Sequence, residues 1–252
     1  MRGPDSDISK PLNILDVGLE PYDSVLDLQH QLVRARRDGL VEDTLILVEH
    51  PPVITLGRRG DENNILVSSQ YLSDLGVEVR RVERGGDVTY HGPGQLVGYP
   101  ILDLRQHRQD VGWYMHSLEE VLVRTLSDFG IPTKRLPGNI GVWLDKHRKI
   151  AALGVRIEDW ITYHGFALNV APDPAHCKLV VPCGLVGKEV TSMAAVLGSV
   201  VSMAKVRERA SGNFATVFGM KMRKIALADL PPVVNRGERT VASAQPDGTS
   251  CS

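Results

Sequence analysis

Cys183, in the segment VVPCGL, falls on a turn because Pro182 precedes it and Gly184 follows it. A lone cysteine is commonly a small buried hydrophobe. One carried on a turn is presented instead, and backbone N–H groups freed by the turn can stabilise a thiolate or a tetrahedral oxyanion. An unperturbed thiol, with a pKa of about 8.5, is only slightly ionised at neutral pH, so a nucleophile here needs a neighbouring cation or base. The chain offers Lys149, His91, His164, Lys146, Lys178 and Lys188. Lys146 and Lys178 lie in polar segments that solvent serves, whereas Lys149 opens the apolar run KIAALGV, which draws its amine inward. His91 and His164 share the local form Tyr-His-Gly, and each reads equally well as a structural histidine. Spacing does not select among these groups. Cys177 stands in the polar setting AHCK and Cys251 in a polar tail; His176, Cys177 and Cys183 fit no tetrahedral zinc spacing, so no metal is expected.

The second chemical feature is the stretch RGGDVTYHGPGQ, from Arg84 to Gln95. Turn chemistry asks for one or two glycines. Glycine pairs on both sides of a short strand-like segment point instead to a loop whose backbone approaches a ligand.

The elements that must position these residues follow from hydrophobic periodicity. Helices are predicted over residues 22–37, 68–75, 110–129, 190–197 and 203–218, with Asp110 and Ser202 as caps. Strands are predicted over 13–17, 44–50, 53–57, 77–82, 87–90, 96–104 and 161–170, with a hairpin of 141–145 against 149–157. The Pro51-Pro52 pair forces a bend between the second strand and the third. Strands come in clusters separated by helices, which argues for an α+β (α/β) single domain with a mixed sheet.

A chain of 252 residues with 42% apolar content supports one sizeable core. The net charge of −1 argues against nucleic acid as a partner, although Arg80, Arg81 and Arg84 beside the glycine-rich loop could meet an acidic one. No apolar run approaches about 18 residues, so no membrane span is expected. Three cysteines make no disulfide framework, and the opening MRGPDSDISKPLNI reads as neither a secretory nor a transit signal. A reducing cytoplasm is the expected location. The domain is expected over 13–220, with 1–12 and 221–252 as flexible termini.

Four blocks in series, RGGDVTYHGPGQLVGYP, GVWLDKHRKIAALGVRI, YHGFALNV and VVPCGLVGKEVTSM, with EHPPVITLGRR before them, resemble the octanoyl-[acyl-carrier-protein]:protein octanoyltransferases. The resemblance runs from about Asn13 to Phe218. It implies a fold related to biotin and lipoate protein ligases, with a smaller sheet beside the mixed one. It implies transfer of an octanoyl (or lipoyl) group from acyl carrier protein to one lysine of apo lipoyl domains. The expected acceptors are 2-oxoacid dehydrogenase E2 subunits and glycine-cleavage H protein. Carried over residue by residue, the acyl-accepting cysteine matches Cys183 and its paired lysine matches Lys149. The substrate-binding segments match Arg84, Gly85, Gly86, Asp87, Val88, Thr89, Tyr90 and His91, then Ala152, Leu153 and Gly154, then Gly165, Phe166 and Ala167. His164 is an auxiliary candidate. A thioester donor is already activated, so no cofactor is expected, and the working unit is expected to be a monomer. The competing readings are an ATP-dependent lipoate ligase of the same fold, an amidotransferase between lipoyl domains, and a non-catalytic lipoyl-domain-binding protein.

Overall fold

The computed structural model describes residues 9–181 and 188–234. In chain order the elements are β1 (Lys10–Leu19), α1 (Tyr22–Arg37), β2 (Asp43–Glu49), β3 (Val53–Leu56), α2 (Ser69–Asp74), β4 (Glu78–Arg81), β5 (Val88–His91) and β6 (Gln95–Ile101). They continue with α3 (Val111–Ser127), β7 (Lys134–Leu136), β8 (Asn139–Trp143), β9 (Arg148–Glu158), β10 (Ile161–Asn169), α4 (Pro174–Cys177), β11 (Glu189–Val190), α5 (Met193–Leu197), α6 (Met203–Phe218) and β12 (Met220–Ile225).

The frame is a mixed sheet in the order β12-β1-β2-β6-β10-β9-β8-β7, with β11 paired to β9. β1 runs parallel to β2 and β12, and β11 runs parallel to β9; the other neighbours are antiparallel. The continuous apolar run of β2 is buried on both faces, as its composition requires. Leu45 and Leu47 face the cluster built by α3 and α6, while Ile46 and Val48 face the cluster that α1 covers. Each such side chain contributes about 1.5–3 kcal/mol on burial. Asp110 caps α3 by accepting from the Trp113 N–H at 2.9 Å, and Ser202 caps α6 by accepting from the Lys205 N–H.

At Pro51-Pro52 the chain leaves the large sheet and enters a small one, ordered β4-β3-β5. Ile54, Leu56, Val88 and Tyr90 of this sheet pack with Leu72 of α2 and with Leu179 and Val180. Residues of β5 from the small sheet and of β9 and β10 from the large one line one cavity, and the site lies there.

The structure departs from expectation at the ends of the domain. Residues 10–12 and 221–234 belong to it: β12 lies along β1 from Lys10↔Met220 to Leu15↔Ile225, and Leu230 and Val234 then bury against the α1 side. β12 is an edge strand whose side chains are mostly exposed, so its composition carries no apolar run. Residues 1–8 and 235–252 lie outside the described residues. The helix expected over 190–197 begins only at Met193, because Glu189 and Val190 pair with Arg148 and Lys149 as a strand. Among the described residues no helix is long and apolar enough to cross a membrane.

Candidate active site

The floor of the site is made from small residues in register. Ala152 lies opposite Ala167 across β9 and β10, and Gly154 lies opposite Gly165. The Ala152–Ala167 pair leaves little side chain above the ladder, and a narrow cavity, partly open to solvent, remains between it and β5. Gly154 makes room for the loop, since a Cβ there would stand 2.9 Å from the Gly85 carbonyl oxygen and 3.2 Å from Arg84 Cδ. Arg84, Gly86, Asp87, Val88, Thr89, His91, Ala152, Leu153, Gly154, His164, Gly165, Phe166 and Ala167 all line the cavity. Gly85 and Tyr90, expected with them, do not. The Gly85 N–H donates to the Val155 carbonyl at 2.9 Å, and Tyr90 packs into the core of the small sheet with its hydroxyl 2.9 Å from His176 Nδ1. Gly85 lines an outer groove with Arg58 and Arg59, while Tyr90 lines an adjoining cavity. Gly165 is required by packing as well: a Cβ there would collide with the Gly98 carbonyl oxygen on the adjacent β6.

Arg84 ties the glycine-rich loop to the small sheet. Its guanidinium is buried and donates to Thr55 Oγ1 at 2.9 and 3.1 Å, to the Thr55 carbonyl at 2.6 Å, to the Asp87 carbonyl at 2.8 Å and to the Gly85 carbonyl at 3.0 Å. The fork geometry of arginine serves several acceptors at once. The same loop accepts from the chain after β3: the N–H groups of Gly57, Arg58 and Arg59 donate to the carbonyls of Asp87, Arg84 and Gly86.

Lys149 is 5% exposed, as expected of a lysine opening an apolar strand. It sits on β9 opposite Trp143, with Nζ 4.7 Å from the indole ring centroid. This cation–π contact offsets part of the cost of burying the amine. Gly141, at φ +125°, keeps clear the path of its side chain: a Cβ there would stand 3.2 Å from Lys149 Cε and 2.7 Å from the Ala151 carbonyl oxygen. Lys149 lines a second, narrow cavity that shares Val88, Thr89, Ala152 and Ala167 with the first. The lysine therefore lines the second of two adjoining cavities that share these walls, together a channel-like site.

Cys183 lies outside the described residues, so its approach to Lys149 remains an expectation. The described residues on either side, Val181 and Lys188, line one cavity together with Cys177, Lys178, Val190 and Thr191. Cys177 is not in the loose polar setting its neighbours suggest. It closes the single turn of α4 on a cavity wall, where burial, with Asp173 adding to the effect, pushes its thiol up to about 11. It therefore stays protonated at physiological pH.

Burial disfavours the charged form of three histidines at the site. Burial holds His91 down to about 3 and His50 to about 4, and burial also lowers His164. The Gln95 amide nitrogen donates to Asn169 Oδ1 at 2.9 Å and to the Tyr90 carbonyl, so Gln95 Oε1 must accept from His91 Nδ1, at 2.7 Å. His50 Nδ1 donates to the Glu20 carbonyl at 2.7 Å, which leaves Nε2 to accept from the Tyr99 hydroxyl at 2.8 Å. Imidazoles whose charged form is disfavoured, as at His50 and His91, are poor sources of the positive charge a thiolate needs. Of the groups left open by spacing, Lys146 and Lys178 are exposed, and Lys188 Nζ donates to the Lys146 carbonyl at 2.6 Å. Lys149 is the buried one on the channel. Tyr22, Val97 and Tyr99 also line the cavity. In sequence the first opens a helix and the other two sit in a buried strand, so each reads as core.

This fold and this channel define a class. The chain shares its architecture with a lipoate-protein ligase A bound with ATP, at a TM-score of 0.70 and 14% identity over 91% of this chain and 93% of that one. It shares it equally with a bi-partite lipoate protein ligase from Thermoplasma acidophilum, at a TM-score of 0.70 and 17% identity over 91% of each. At that identity the likeness concerns the fold. The model of the lipoyl protein ligase A/B catalytic domain matches residues 21–215, and the chain belongs to that family. Within the family its similarity is to acyltransferases. The octanoyltransferase of Solibacter usitatus (strain Ellin6076) is 50% identical over 206 residues, covering 82% of this chain and 92% of that protein. The octanoyltransferase of Acidobacterium capsulatum is 47% identical over 222 residues, covering 82% and 90%. The family read from the sequence blocks is borne out.

Proposed function

We propose that the protein moves an octanoyl group from acyl carrier protein to a lysine of apo lipoyl domains through a thioester on Cys183, with Lys149 as its proton-handling partner. The observation that carries this reading is the placement of Lys149, buried beside a channel whose floor is the Ala152–Ala167 and Gly154–Gly165 pairs. An acyl chain in that channel gains roughly 0.8 kcal/mol for each methylene removed from water.

The first half-reaction forms a bond between the Cys183 sulfur and the acyl carbon, and breaks the bond from that carbon to the donor sulfur. The carrier thiolate leaves with a proton from the Lys149 ammonium. In the second half, the acceptor amine forms the amide bond and gives a proton to the Lys149 amine, while Cys183 departs as thiolate. Ammonium and thiolate are then restored, and no nucleotide is consumed. E2 subunits of 2-oxoacid dehydrogenases and glycine-cleavage H protein are the proposed acceptors. A monomer in a reducing cytoplasm is the proposed setting.

Substitution tests the roles separately. Cys183→Ser abolishes transfer while leaving thermal unfolding unchanged, and Lys149→Ala moves the pH profile of Cys183 alkylation upward. A fully active Cys183→Ser protein removes covalent catalysis, and transfer that requires ATP and releases pyrophosphate favours a ligase instead.

A further inference from the structure

Of the two adjoining cavities, the one that Lys149 does not line carries a buried histidine. His164 lines the cavity at 1% exposure, with φ +53°, in the left-handed region that a residue other than glycine seldom enters. Successive side chains of a regular strand point to opposite faces. Here the rings of Tyr163 and His164 stack at 5.1 Å, so this backbone conformation has turned His164 out of the alternation. Gln29 holds it there, its Oε1 accepting from the His164 N–H at 2.8 Å. Neither ring nitrogen of His164 has a hydrogen-bond partner among the described residues. Glu83 Oε1 stops 3.6 Å from Nε2, beyond hydrogen-bonding distance, and is engaged by His30 Nε2 at 2.6 Å. Behind the ring, the Gln29 amide nitrogen is also buried without a partner. Strained backbone and unpaired buried polar atoms carry a cost, and they concentrate where a ligand completes the site.

The register sets the distance. From the Ala152–Ala167 pair to the Val155–His164 pair the ladder advances three positions, roughly 10 Å at the usual strand rise. That length is comparable to an extended octanoyl chain whose carbonyl carbon lies at the Ala152–Ala167 pair, the pair that lines both cavities. Resting on the reading that the channel holds an acyl chain, we propose that His164 selects the chain's distal end. It accepts a hydrogen-bonding substituent, hydroxyl or oxo, on the last carbons of an eight-carbon chain and disfavours a longer unsubstituted chain. A terminal hydroxyl pairs with a ring nitrogen, whereas two further methylenes must press against the ring and leave Nδ1 without a partner. The ring cannot easily swing aside, since Tyr163 stacks on it and Tyr99 meets it edge-on at 6.4 Å.

The test measures transfer by the full chain from octanoyl, 8-hydroxyoctanoyl and decanoyl thioesters. The wild-type protein is expected to use the hydroxylated chain about tenfold or more better than decanoyl, the ratio that one unpaired buried polar group accounts for. His164→Leu reverses that order. His164→Asn, polar and tolerant of positive φ, keeps it. Should the leucine variant fail to fold, the wild-type ratio and the asparagine variant carry the test. Octanoyl transfer with no preference between the other two donors, or with an order that His164→Leu leaves unchanged, overturns this inference alone. Absence of octanoyl transfer by the wild-type chain overturns the acyl-channel reading and this inference with it.

Discussion

Replacing Arg84 by lysine keeps the charge and still destabilises the domain. The guanidinium reaches four acceptor atoms: Thr55 Oγ1 and the carbonyls of Thr55, Gly85 and Asp87. Hydrogen bonds to a charged group are worth about 1.5–3 kcal/mol each, though not additively. The Asp87 carbonyl also accepts from the Gly57 N–H, so it keeps a partner when the arginine is lost. The remaining contacts suggest a loss of about 3 kcal/mol for Arg84→Ala. A lysine ammonium has three donors and no fork, so it cannot span these acceptors. It also leaves a buried charge short of partners, which makes Arg84→Lys no better than alanine. Against a total stability of about 5–15 kcal/mol either change is large. Urea unfolding reads it as a fall in midpoint of about 1 M. Octanoyl transfer should show a raised KM as the loop loosens. A lysine variant with the wild-type midpoint would refute the claim that this buried fork holds the loop.

Two further outcomes follow from the same geometry. Gly141→Ala puts a Cβ against the Ala151 carbonyl oxygen and the Lys149 stem at a φ alanine rarely adopts, so it lowers both the melting temperature and the transfer rate; a variant with wild-type values of both contradicts a glycine required there. The buried histidines make the fold sensitive to acid. His50 and His91 have folded pKa values of about 4 and about 3 against an unfolded value of about 6.5. Between those limits the unfolded chain binds more protons, so stability rises with pH and is lost as pH falls below about 6.5. Each histidine contributes a slope of up to about 1.4 kcal/mol per pH unit. The urea midpoint should therefore fall between pH 7 and pH 5, and His50→Gln should flatten the fall; a parallel fall in that variant argues against the histidine as its source.

Much of the frame is legible in the chain because its elements obey one period each. The stripes of α1 and α6 and the double-faced run of β2 read directly from residue spacing. β12 does not, because an edge strand with lysine and arginine on it looks like a tail until its partner β1 is known. In the site, the arginine and glycines of the loop stand out because few other structures need them. Tyr22, Val97 and Tyr99 do not, since a residue lining a cavity and a residue filling a core are the same types in the same pattern. Register is the missing information: nothing in the two segments says that Ala152 meets Ala167, and that pairing hollows the floor. His164 is a candidate by its neighbours, but its left-handed backbone and its ring without a hydrogen bond emerge only from the fold.

The central claim is tested most directly by the intact mass of the protein after incubation with octanoyl-acyl carrier protein, followed by peptide mapping. The account predicts a single octanoyl adduct on Cys183, none on Cys177, and its disappearance on addition of an apo lipoyl domain as that domain gains the same mass. Transfer to the lipoyl domain with no adduct at any time on Cys183, under conditions that trap thioesters, would contradict it.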